Sequence, residues 1–177
     1  MVYAVIDTNI IVSSFITKNP SSATRRVINS MLNGKIKPLY NDEILDEYFD
    51  VLNRSKFHLS ESRIHELLNF FKENGIDSSR FPYGGEMPDE DDRVFYEVCL
   101  STEDSFLVTG NLKHFPKEPQ VITAAEMMEI LDTNNHISSN RPKTTQGDST
   151  HSTFSPLSPS GPIPQKLAKT FDGPPTL

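Results

Sequence analysis

Apolar and polar positions along residues 1–131 switch repeatedly between the period of a strand and that of a helix. Val2–Ile6 is an unbroken β-prone run, as expected of a strand buried on both faces, and it stops on Asp7. Thr8-Asn9 follow before apolar residues resume. From Ser22 a helix is predicted through Val27, Ile28, Met31 and Leu32, with Gly34 as its stop. Ile36–Tyr40 reads as a second strand. Asn41 caps a helix with Ile44, Leu45, Tyr48, Phe49 and Leu52 at helical spacing, and Ser60 caps another with Ile64, Leu67, Leu68 and Phe71 inward and Gly75 at its close. Pro82–Pro88, with Gly84-Gly85, is a loop. Asp89–Ser101 is a fourth helix with Phe95, Val98 and Cys99 on its buried face. Ser105–Thr109 and Gln120–Thr123 are strands, and Thr123-Ala124-Ala125-Glu126 is a capping box opening a short final helix through Met127, Ile130 and Leu131. Strands alternating with helices predict an α/β domain of three layers, a central and mostly parallel sheet flanked by helices.

The periodic pattern ends near Asp132. Residues 132–177 are rich in Ser, Thr and Pro and hold more than half of the chain's 13 prolines, with Phe154 and Phe171 as their aromatics. Such a segment buries too little apolar surface to offset its ordering entropy, so it is expected to be a disordered C-terminal tail following a 1–131 domain.

Charge narrows the function more than size does. The 177 residues carry a net charge of -7, so no global basic field draws the chain to nucleic acid, although a site that neutralises its acids with divalent cations is compatible with that balance. One cysteine, Cys99, cannot close an intrachain disulfide, which fits a reducing compartment. No window reaches the apolar length of a membrane span, and a cytoplasmic location is the expectation.

The chemistry sits in the acids. In open α/β sheets ligands bind beyond the carboxyl ends of the strands, where Asp7 stands. Taken alone, Asp7 could equally be a helix N-cap. Glu47 could be a solvent-facing helix residue like Glu43, and Asp91 and Asp92 could serve the dipole of a helix N-terminus. Together, on one sheet edge, they would repel one another without a cation, and clustered carboxylates of this kind suit a hard divalent ion. Cys99, on the apolar face with Phe95, is core. His58 and His65 read as helix-surface residues and His114 as a loop residue. Arg93, Lys113, His114 and Lys117 are candidate contacts for the phosphates of a substrate. An Asp-x-Asp phosphotransferase would need an acid where Asn9 stands, and no Gly-rich phosphate loop follows the first strand.

The ordered stretches Val5-Ile6-Asp7-Thr8-Asn9-Ile10, Glu43-Ile44-Leu45-Asp46-Glu47-Tyr48, Pro88-Asp89-Glu90-Asp91-Asp92-Arg93 and Leu107-Val108-Thr109-Gly110-Asn111 resemble the PIN-domain family of metal-dependent ribonucleases, and in particular its branch of toxin components of toxin–antitoxin pairs. The resemblance implies an endoribonuclease dependent on Mg²⁺ or Mn²⁺. Asp7, Glu47 and Asp92 would hold the metal and carry catalysis, with Asp91 as an alternative acid, and Asn9, Thr109 and Asn111 in support. It further implies RNA as substrate, in-line hydrolysis leaving 5′-phosphate ends, a cognate antitoxin protein as partner, and a homodimer. Asn111 stands where many family members carry a fourth acid, which argues against an obligatory two-metal site. A non-catalytic PIN-like module that binds RNA or protein is the alternative.

Overall fold

A computed structural model of the chain describes residues 1–139; all but the first few residues of the expected disordered tail lie outside them. The chain begins with β1 (Val2–Ile6), α1 (Thr8–Ile16) and α2 (Ala23–Leu32), followed by β2 (Ile36–Tyr40), α3 (Asp42–Leu52) and α4 (Glu61–Asn74). It continues through β3 (Ile76–Asp77), α5 (Arg93–Leu100), β4 (Ser105–Val108), β5 (Val121–Ile122) and α6 (Ala124–Ser139). The five strands form one sheet in the order β3-β2-β1-β4-β5, and every pairing is parallel. The α/β fold expected from the alternation is the fold observed.

Successive residues of a strand face opposite sides of the sheet, and Ala4, Val5 and Ile6 are all fully buried, so both faces of β1 are covered by helices. α1 packs against α2 and α3, α2 against α6, and α3 against α4 and α5. Strand order runs outward from β1 through β2 to β3 and then returns to β4 on the other side of β1. The switch point therefore lies between β1 and β4, where a crevice opens at the strand ends.

Several local signals act as expected. The side chains of Ser22 and Asn41 accept hydrogen bonds from Arg25 N and Ile44 N, capping α2 and α3. Thr123 and Glu126 close the capping box from both ends, with bonds of 2.7 and 3.2 Å. Gly34 has φ of +68°, the left-handed turn that stops α2. Cys99 is buried in the core.

Other elements depart from the sequence reading. The segment Thr8–Ile16 is a helix, although Thr8, Ile10, Ile11, Val12 and Ile16 are β-branched; its burial on nearly every side overrides propensity. The two-residue β3 was not expected. α5 begins at Arg93 instead of Asp89, so the acids before it form a turn. Ser60 occupies the start of α4, but its side chain makes no capping bond. α6 runs on to Ser139, well past Leu131. His58 is not on a helix; it adopts a left-handed conformation after a 3₁₀ turn over Ser55–Phe57.

Glu97, buried on α5, fastens the loop that leads to the acidic turn. Arg80 Nε donates to its Oε2 at 2.7 Å and the Tyr83 amide to its Oε1 at 3.0 Å. Arg93 is claimed by the same cluster: it forks onto Glu90 at 2.6 and 2.8 Å and donates to the Tyr83 carbonyl at 2.8 Å. Arg93, one of the candidate phosphate contacts, is thus engaged by Glu90, Glu97 and the Tyr83 carbonyl. Burial would raise the Glu97 carboxyl, but the Tyr83 amide and the Arg80 guanidinium outweigh it and hold it below its ordinary value of 4.5. A lowered carboxyl contributes stability above its unfolded value and loses that contribution as pH falls through the folded one. Glu97→Gln is therefore expected to lower stability at neutral pH by about 1–3 kcal/mol, the range for hydrogen bonds to a charged group. Urea denaturation should show this deficit narrowing as pH drops below 4.5.

Candidate active site

One residue separates β1 from α1, and it is Asp7. Register pairs Ile6 with Val108, so the next residue on each strand, Asp7 and Thr109, leaves the sheet at the same level. Asp7 N donates to Val108 O at 3.0 Å, and Thr109 N to Ile122 O at 2.9 Å, extending the ladder one step. The Asp7 side chain is the N-cap of α1, accepting from Asn9 N at 3.0 Å. The cap and site readings of Asp7 are thus compatible, because its second oxygen remains for other partners.

Those partners orient the carboxylate. Oδ2 accepts from Thr109 Oγ1 at 2.5 Å and from Asn9 Nδ2 at 2.6 Å. Asn9 Oδ1 in turn accepts from Gly110 N at 2.8 Å, and Thr109 Oγ1 accepts from Asn111 N at 2.9 Å. A Cβ on residue 110 would lie 2.9 Å from Asn9 Oδ1, so glycine permits this close approach. The side chains of Asn9 and Thr109 thus meet Asp7 directly, whereas Asn111 is exposed and joins through its backbone amide.

Glu47 arrives from α3. The hydroxyl of fully buried Tyr48 donates to Ile6 O, fastening α3 to the end of β1. Its neighbour Glu47 then meets α1, where Thr8 Oγ1 donates to Glu47 Oε1 at 2.6 Å. Thr8 escaped the sequence reading: its partner lies 39 residues away, and no local pattern marks that contact.

Asp92 stands at the N-cap position of α5, yet its side chain makes no capping bond. It faces His114, on a 3₁₀ turn over Leu112–His114. Carboxylates only accept, so His114 Nδ1 donates to Asp92 Oδ2 at 2.9 Å and also lies 3.1 Å from Asp89 Oδ2. Asp89, Asp92 and His114 place one ligand atom each within 4.8 Å of one another. Asp91 is exposed, and its amide donates to Asp89 Oδ1 at 3.2 Å. Asp89, and not Asp91, thus stands with Asp92 at His114, while Asp91 acts on Asp92 through its charge.

Electrostatics tie these groups together. Burial raises the carboxyls of Asp7, Glu47 and Asp92 above their ordinary values. The hydrogen bonds from Thr109, Thr8 and His114 oppose that rise without cancelling it. The charge of Asp92 pushes Asp7 and Glu47 further up, and Asp7 adds to the rise at Glu47, while Arg54 partly offsets it. The donor set is mostly hard carboxylate oxygen under mutual repulsion, and a divalent cation fits it. Of the expected ligands Asp7, Glu47 and Asp92, only Asp92 belongs to the group whose ligand atoms already lie within 4.8 Å of one another, and Asp7 and Glu47 are coupled to it through its charge. A cavity of about 700 Å³ between Val2, Cys99, Ser105, Phe106 and Gln120 lies at the opposite ends of β1 and β4 and contains none of these acids.

A carboxyl raised on folding costs stability while ionised, and the cost lifts as pH falls through its raised value. Glu47→Gln keeps an oxygen for Thr8 and deletes the charge. In chelator at neutral pH it is expected to raise Tm by roughly 2–4 °C, about 1 kcal/mol for a chain of this length. The gain should shrink in mild acid and reverse when Mn²⁺ is added, as thermal melts would show.

A family model described as PIN domain matches residues 3–113, which span every one of these acids. No curated protein and no solved structure matches the chain. The family match covers well over half of the sequence, and it accounts for both the parallel sheet and the acids at its switch point: the chain belongs to the PIN-domain family, a family of nucleases.

Proposed function

We propose that the chain is a divalent-metal-dependent endoribonuclease that hydrolyses RNA phosphodiester bonds in the cytoplasm, as the toxin component of a toxin–antitoxin pair. The observation that carries this reading is that Asp7, Glu47 and Asp92, from three separate elements, stand close enough for the charge of Asp92 to be felt at the other two. A buried Asp7 and half-buried Glu47 and Asp92 repel one another, and a site that binds Mg²⁺ or Mn²⁺ gives these acids a use.

When bound, the ion supplies an activated water and neutralises charge that develops on the phosphate. The chain's own residues do the positioning. Thr109 and Asn9 hold Asp7 in one rotamer, and Thr8 holds Glu47. Tyr48 keeps α3 seated on β1, so the distance between the two acids is set by packed elements instead of by a loop. Exposed Lys113 and Lys117 follow β4 and supply positive charge for an RNA backbone that the net charge of -7 would otherwise repel. Specificity then falls to the groove and to partners, with a cognate antitoxin covering the acidic edge and a homodimer as the working assembly. No helix among the described residues is long and apolar enough to cross a membrane.

The neutral, exposed Asn111 favours one cation over two, and it is the feature that a purely RNA- or protein-binding PIN module would share. Cleavage of a mixed RNA pool in Mg²⁺, Mn²⁺ or EDTA separates the readings. The wild type is expected to cut only with metal, and Asp7→Asn with Asp92→Asn to lose more than about 100-fold of the rate. Metal-independent cutting, or equal cutting by both proteins, would refute the nuclease reading. Metal binding without cleavage would favour the binding module.

A further inference from the structure

The proposed metal site does not end with its carboxylates. We propose that His114 is a ligand to the divalent cation, supplying Nδ1 beside Asp92 and Asp89 and biasing the site from Mg²⁺ toward Mn²⁺, Co²⁺ or Zn²⁺. The inference rests on the metal-dependent reading above and adds a nitrogen donor to it.

Spacing is the first argument. Nδ1 lies 2.9 Å from Asp92 Oδ2 and 3.1 Å from Asp89 Oδ2. Ligands bonded to one ion at about 2.1 Å and at right angles to each other are about 3.0 Å apart. His114 Nδ1 now donates to Asp92 Oδ2, and the three ligand atoms all lie within 4.8 Å of one another. On binding, the Nδ1 lone pair goes to the ion, and the ring hydrogen resides on Nε2 as the other neutral tautomer.

The second argument is what Asp92 gives up. It stands at the N-cap of α5, where a carboxylate normally accepts from the first-turn amides. Its side chain makes no such bond and faces His114. The ring is also firmly carried. His114 N donates to Asn111 O at 2.9 Å, Phe115 N to Leu112 O at 3.3 Å, and the next residue, Phe115, is anchored in the core. This turn starts at Asn111, the neutral residue where many family members carry an acid, and it delivers a different donor three residues later.

Chemistry then sets the preference. Mg²⁺ holds to oxygen and keeps its waters, whereas an imidazole suits the later divalent ions. With the full chain loaded with Mn²⁺, pulsed electron paramagnetic resonance is expected to show ¹⁴N coupling in the wild type that His114→Gln abolishes. Calorimetric titration should show Co²⁺ affinity falling roughly 10–100-fold in that variant, with Mg²⁺ affinity changed less than about threefold. His114→Asp, which restores an anionic oxygen donor, should recover Mg²⁺ binding without nitrogen coupling. Mn²⁺ bound to the wild type with no ¹⁴N coupling, or coupling that survives His114→Gln, overturns the role of His114 and leaves the carboxylate site standing. A wild type that binds no divalent ion at all overturns both.

Discussion

The constraint on which this molecule turns is a carboxylate that must be held where water barely reaches. Asp7 is 4 % exposed, at a seam one residue long between β1 and α1. A buried, ionised group survives only with hydrogen-bond partners, and here they come from both sides of the seam. The Asn9 amide and side chain reach back from the first turn of α1, and the Thr109 hydroxyl reaches across from the end of β4. The parallel register of β1 and β4 is what brings Thr109 to that height, so the sheet and the acid are parts of one solution. Tyr48 applies the same economy from α3, since its hydroxyl takes the last carbonyl of β1 and leaves Glu47 facing the seam.

How much of this the sequence disclosed follows from the range of each interaction. Asn41, Ser22 and the Thr123–Glu126 box act within three residues, and their side chains bond where a local reading puts them. The strand-end position of Asp7 was legible because the run Val2–Ile6 stops on it. α1 was not, because a stretch of β-branched residues becomes helical only when packing surrounds it, and packing is not written in any nine-residue window. Thr8 meeting Glu47, and His114 meeting Asp89 and Asp92, span 39 and 22 or more residues and depend on how two turns are aimed. Arg93 is a further case. A cation beside an acidic site invites a substrate role, yet Glu90 and Glu97 one turn away already use its guanidinium.

The acidic edge also divides into two halves of different mechanical character. Asp7 and Glu47 stand on packed elements, with rotamers fixed by Thr109, Asn9 and Thr8. Asp89 and Asp92 stand on a turn between a loop and α5, and the loop is fastened from below by Glu97 through Arg80 and the Tyr83 amide. Repulsion couples the halves: the charge of Asp92 is felt at both Asp7 and Glu47. A cation bound between them would exchange that repulsion for attraction on both sides at once, drawing the turn toward the sheet edge. The rigid half can then set the geometry while the acidic turn adapts to the ion, with His114, on the separate turn after β4, meeting both Asp89 and Asp92.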